Sequence, residues 1–347
     1  MKKILLLLVG VTAFTFAKAQ DTVKTTSDAP LVIYGSVDTY YKYDFSGHAN
    51  IPTYFASDQN SVSIGMVDLG LKKTVGNASF VGEVSFGPRS DQSLPTGQTN
   101  NHIQNLYVSY NFTPKFSATA GYMATFVGYE VISPTGNYNY STSYLFGNGP
   151  FQNAGFKLTY AFSDKVSLMA GIFNNQWNYY SSVRADGEGS SSGDVSTFGA
   201  QLTVTPVTGW TAYLNVLTGS YSGTVLDLTT AYQITSAFKL GLNAATKSGA
   251  GSPNYDGVAL YPQLAVSKAV SFGLRGEYFE FKAVGDSPKS HVTGITVTSN
   301  IKAGPLTFIP EVRFDNKSDG FPTTFVKSDG TITNSASQFL LAAVYAF

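Results

Sequence analysis

The chain predicts an all-β fold, a transmembrane antiparallel up-and-down β-barrel of about 16 strands, within a range of 14–18. Three observations carry this expectation. Apolar and polar residues alternate with a period of two from residue 32 to the C-terminus. The links between alternating segments are short and long by turns. Charged residues make up 13%, about half the usual share, while aromatics reach 14% with 22 Tyr and 25 Phe. Mean hydropathy is near zero and no long apolar run follows residue 20, so no helical span is predicted. A sheet with one apolar face and one wet face fits that balance.

At the N-terminus, Lys2 and Lys3 precede the largely apolar Ile4 to Phe16, and Ala17-Lys18-Ala19 has the small-x-small pattern of a cleavage site. Residues 1–19 are therefore read as a signal peptide. Residues 20–31 follow as a short N-terminal periplasmic segment, and 32–347 as the barrel. A retained anchor is the alternative, but the apolar stretch is short for about 30 Å of hydrocarbon. The chain has no cysteine, which excludes a lipid-modified cysteine, disulfides and thiolate metal sites. Without Lys2, Lys3 and Lys18 the basic count falls from 22 to 19 against 22 acids, and nucleic acid is not an expected partner.

The first strand places Ile33, Val37, Tyr41, Tyr43 and Phe45 on one face, and Tyr34, Ser36, Asp38, Tyr40, Lys42 and Asp44 on the other. The same split recurs later. Phe80, Val84 and Phe86 oppose Ser79, Glu83 and Ser85, and Phe156, Leu158 and Tyr160 oppose Lys157 and Thr159. Phe238, Leu240 and Leu242 oppose Lys239, Gly241 and Asn243. Phe272, Leu274 and Tyr278 oppose Ser271, Arg275 and Glu277, and Leu306, Phe308 and Val312 oppose Thr307, Glu311 and Arg313. Alternation is least clean over 60–73 and 291–301.

Short links are expected at 113–115, 163–165, 206–209, 235–237, 267–269 and 302–304. Longer polar links fall near 46–59, 88–101, 126–150, 179–193, 248–256, 282–290 and 316–336. Short turns at one end and long loops at the other match an outer-membrane barrel. An even strand count puts both termini in the periplasm. Outward rings, among them Tyr110, Phe112, Phe116, Tyr160, Phe162, Trp210, Tyr232, Phe238 and Phe272, gather beside the short turns, where a membrane–water boundary favours them. The last strand, Gln338 to Phe347, ends on Phe, as barrels handed to the barrel-assembly machinery do.

Asn105-Leu106-Tyr107-Val108-Ser109-Tyr110, Gly121, Gly128-Tyr129-Glu130, and Gly149-Pro150-Phe151 with Gly155 resemble the OmpL-like β-barrel porin family, common in Bacteroidetes. The motifs lie within about residues 105–160. The resemblance implies a channel and names no solute.

A barrel of this size leaves an aqueous lumen unless something folds into it. The link 126–150 is the candidate, because exposed loops rarely carry Tyr129, Tyr138, Tyr140, Tyr144 and Phe146 together. Glu130 is its only charged side chain. An outward loop packed on its neighbours is the alternative. The residues expected to line or constrict the pore are Glu130, Tyr129, Asp38, Lys42, Glu83, Lys157, Lys239, Arg275, Glu277, Glu311 and Arg313. The neighbouring pairs Arg275/Glu277 and Glu311/Arg313 are expected to brace the wall.

Catalysis has little support. His48, His102 and His291 sit near predicted loop edges, and no G-x-S-x-G elbow follows a strand. Residues 315–320 lack the ligand pattern of a calcium loop, and 187–193 lack the Lys of a phosphate loop. No cofactor is expected. The expected function is passive diffusion of small hydrophilic solutes across a Gram-negative outer membrane. A surface-binding or adhesion barrel is the alternative, and an outer-membrane hydrolase a more distant one. The expected partners are outer-membrane lipid, the assembly machinery, the solutes, and further copies of the chain in a homotrimer.

Overall fold

The computed structural model describes residues 29–94, 102–174, 194–251 and 253–347. The predicted signal peptide, residues 20–28 and the Gly/Ser-rich 187–193 lie outside them. Its strands are β1 (Val32–Asp44), β2 (Ser61–Val75), β3 (Ala78–Phe86), β4 (Ile103–Thr113), β5 (Phe116–Ala124) and β6 (Gln152–Ser163). Then come β7 (Val166–Asn174), β8 (Val195–Val204), β9 (Trp210–Gly219), β10 (Gly223–Gln233), β11 (Phe238–Ser248) and β12 (Tyr255–Ala265). The rest are β13 (Val270–Phe281), β14 (Ser290–Ala303), β15 (Leu306–Lys317), a small hairpin β16 (Phe325–Val326) and β17 (Ile332–Thr333), and β18 (Ser335–Ala346). Two short helices, α1 (Pro88–Ser93) and α2 (Tyr144–Asn148), lie in the links.

Strands β1–β15 and β18 form one closed antiparallel barrel of 16 strands, as predicted. Closure is made by β1 on β18, in register from Ser36↔Ala346 to Asp44↔Gln338. A closed sheet leaves no unpaired edge, which hydrocarbon would not tolerate. The two segments of least regular alternation, 60–73 and 291–301, are β2 and β14. A short turn at 76–77, which the alternation did not signal, joins β2 to β3, and the β9–β10 link 220–222 is short although it lies at the long-link end.

Exposure runs opposite to that of a water-soluble protein. Val62 is 82% and Val108 59% exposed, while Arg275 and Arg313 are at most 1% exposed. The apolar residues face outward, where lipid solvates them, and the charged residues face the lumen. Outside, the rings beside the short turns form a chain: Tyr110 packs on Phe112, Phe112 on Phe116, Phe116 on Tyr160 and Tyr160 on Phe162. Trp210 packs on Tyr232.

Two prolines interrupt ladders. Pro262 and Pro310 have no N–H, and the β12–β13 register passes from Leu260↔Gly276 to Gln263↔Gly273, the β14–β15 register from Thr298↔Glu311 to Ile301↔Phe308.

Candidate functional site

The link between β5 and β6, residues 125–151, folds into the lumen. A segment buried there has no neighbouring strand, so its backbone N–H and C=O groups need side-chain partners. The inward charges of the wall supply them. Glu311 accepts the Tyr140 N–H at 3.0 Å and also the Ser141 N–H and hydroxyl. Glu277 accepts the N–H groups of Tyr144 and Leu145 at 3.0 and 2.9 Å. These are the first two residues of α2, so the carboxylate sits where a helix leaves donors unsatisfied. Ser143 caps the same end, its hydroxyl accepting from the Phe146 N–H at 3.0 Å. Asp227 accepts the Gly128 N–H at 3.1 Å.

The guanidiniums satisfy the carbonyls. Arg275 donates to the carbonyls of Ser141 and Thr142, and Arg313 to that of Thr142 at 2.8 Å. Arg89 on α1 donates to the carbonyls of Ile132 and Tyr140 at 3.0 and 3.3 Å. Its guanidinium lies between the rings of Phe55 and Tyr140, 5.0 and 4.8 Å from their centroids.

Glu130 is buried inside this network. Its Oε1 pairs with Arg275 Nη1 at 2.9 Å and accepts from the Tyr261 hydroxyl, while Oε2 accepts the Ser143 N–H at 2.7 Å. The loop phenols complete the seating. Tyr140 donates to Asp38 and Tyr144 to Asp315. Burial pushes both phenols well above their ordinary range, so they stay donors. Tyr129 stacks on Tyr261 with centroids 4.4 Å apart, and Tyr138 donates to Ser271 at 2.9 Å.

Seven of the sequence-predicted residues therefore meet in one place: Tyr129, Glu130, Asp38, Arg275, Glu277, Glu311 and Arg313. The other four stand apart. Lys42 donates to the Ile51 carbonyl at 3.0 Å and so holds the link 45–60 instead. Glu83 accepts from Tyr34 and Asn105, both at 3.0 Å, and borders a small cavity of about 140 Å³ beside the loop. Lys157 and Lys239 point inward and are half-buried.

Among the described residues, neither Arg275/Glu277 nor Glu311/Arg313 forms the ion pair expected to brace the wall. Arg275 binds Glu130 of the loop and Glu277 binds the α2 backbone, while Arg313 pairs with Asp315 at 2.9 Å and Glu311 binds Tyr140 and Ser141. Loop backbone groups compete for these side chains, and a buried N–H or C=O left unmet costs more than a neighbouring wall pair returns. Arg89 was missed because strand alternation says nothing about side chains in links.

The wall has glycines where the loop's rings sit. A Cβ at Gly241 would lie 2.2 Å from the Tyr129 hydroxyl oxygen, and one at Gly273 2.2 Å from Tyr138 Cε1. Gly273→Val is expected to lower barrel stability by about 1–3 kcal/mol through overpacking. Adding Tyr138→Ala should recover part of the loss, read from the temperature at which the folded band shifts on a gel. Equal midpoints for the single and double variants would count against this seating.

A membrane barrel with a polar interior and a loop anchored across it defines a porin-type channel. The family described as "Putative beta-barrel porin-2, OmpL-like" matches residues 30–347, and the chain belongs to that family. It is an outer-membrane porin. Solved structures with the same fold include the outer membrane channel DcaP of Acinetobacter baumannii, with a TM-score of 0.62 and 14% identity, covering 91% of this chain and 97% of that one. Salmonella typhi OmpF in complex with daunomycin superimposes with a TM-score of 0.63 and 12% identity, covering 92% and 100%. An anion-selective porin from Comamonas acidovorans has a TM-score of 0.56 and 13% identity, covering 92% and 100%. No curated protein sequence matches the chain.

Proposed function

We propose that the protein passes small hydrophilic solutes by passive diffusion, with the inward loop 125–151 setting the width of the path, and that it has no catalytic role. The observation that carries this reading is the open space left below the loop, a cavity of about 500 Å³ lined by polar side chains from both loop and wall. Selectivity then follows from the loop's position and from the lumen charges, including Lys157, Lys239 and Glu83. An N-terminal export signal and the assembly machinery bring the chain to the membrane in this reading.

The test is single-channel recording of the purified protein in a planar bilayer. Discrete open steps are expected at modest voltage, and no open current at any voltage would sink the proposal. The OmpT structure of Vibrio cholerae, TM-score 0.57 at 14% identity, is described in a trimer form, and the same assembly is proposed here. Cross-linking in native membranes should then give a three-copy band; a single-copy band alone would retire it.

A further inference from the structure

We propose that the periplasmic end of the lumen is a binding site for small anions, of the carboxylate or phosphate class. The inference rests on the channel reading only for its consequence, and its central claim is about binding. The loop's turn Pro134–Gly136 roofs the cavity of about 500 Å³. Its charged side chains are Lys239 on β11 and Lys302 on β14, while Gln233, Gln263 and Asn300 add amide donors, and no Asp or Glu side chain among the described residues lines it. Neither ammonium has a hydrogen bond or ion pair among the described residues. Deeper in the lumen Arg275, Arg313, Glu277 and Glu311 hold the loop, and Lys157 on β6 points inward apart from this cavity.

Charge is also ordered along the barrel axis. In the loop layer, Asp38, Glu130, Glu277, Glu311 and Asp315 stand among Arg89, Arg275 and Arg313, so carboxylates outnumber guanidiniums. Below that layer the cavity carries cations only. The periplasmic turns extend the same sign, with Lys115, Lys165 and Lys268 against the carboxylates of Asp164 and of the chain terminus at Phe347. Low-dielectric walls focus such a field, and an anion entering from the periplasm is drawn in and meets a negative layer above. It is therefore held beneath the loop, where ammonium and amide donors converge.

Binding can be read without any current. Inorganic phosphate is titrated with the detergent-folded full chain, and broadening of its phosphorus resonance gives the affinity. The variant Lys239→Gln with Lys302→Gln is expected to bind about tenfold or more weakly, since two charge-assisted contacts are lost. Lys327→Gln, in the link between β16 and β17, serves as control and should bind as the parent does. Acetate titrated against the same spins should compete if the site takes the shared anionic chemistry; failure to compete narrows it to phosphate and overturns the class as stated. Equal phosphate binding by parent and double variant overturns the site itself.

In a bilayer, phosphate added on the periplasmic side should block at about a tenth of the concentration needed from the other side. Block of equal strength from both sides would overturn the sidedness. Absence of current with binding intact would overturn the channel reading and leave the anion site standing.

Discussion

Replacing Arg275 with alanine is expected to release the inward loop and raise single-channel conductance. The guanidinium reaches the Glu130 carboxylate, the carbonyls of Ser141 and Thr142, and the Thr296 hydroxyl. Arg275 and Glu130 are both buried, so removing one partner leaves an unpaired charge in the interior. Breaking a buried pair in this way costs about 3–5 kcal/mol. The loop can avoid most of that penalty by moving Glu130 into water, and that movement is what widens the lumen. Arg275→Lys should fall between parent and alanine variant, because a single ammonium cannot serve carboxylate and carbonyls with the same fork. Recordings in which Arg275→Ala conducts like the parent, with no added current noise, would show that the pair does not hold the loop.

Excising residues 129–148 and closing the gap with a short Gly-Ser linker is expected to have the larger effect, a severalfold rise in conductance with the barrel still folded. The ends are already neighbours. Ala124 lies opposite Gln152 in the β5–β6 ladder, and the Thr125 N–H donates to the Phe151 carbonyl at 3.1 Å. The strand ladders are made by backbone groups that the loop does not supply, so the sheet loses none of them. What remains is a 16-strand barrel whose bare lumen is wide enough for a water-filled channel. Glu277, Glu311, Arg275 and Arg313 would then be hydrated instead of paired with loop groups. A folded excision variant with unchanged conductance would mean that the loop is not the narrow point. Loss of the heat-resistant folded band would mean instead that the loop is needed for the barrel.

Much of the architecture is legible in the amino-acid order alone. Period two assigns each strand residue to lipid or lumen with no knowledge of neighbours, because successive side chains on a strand must point to opposite faces. This is why Asp38, Lys42, Glu83, Arg275 and Arg313 could be assigned to the inward face from the sequence, and why the 16-strand count followed from the spacing of turns. The aromatic content of 126–150 likewise pointed inward, since rings so concentrated need cover. Partners are a different matter. Arg275 and Glu277 are two residues apart, yet each meets the loop more than 130 residues away. Alternation gives a face and carries no information about which distant backbone group arrives beside it. Only the closed barrel, with the loop laid across it, turned the inward charges from wall braces into loop anchors, because buried loop N–H and C=O groups had nothing else to bond.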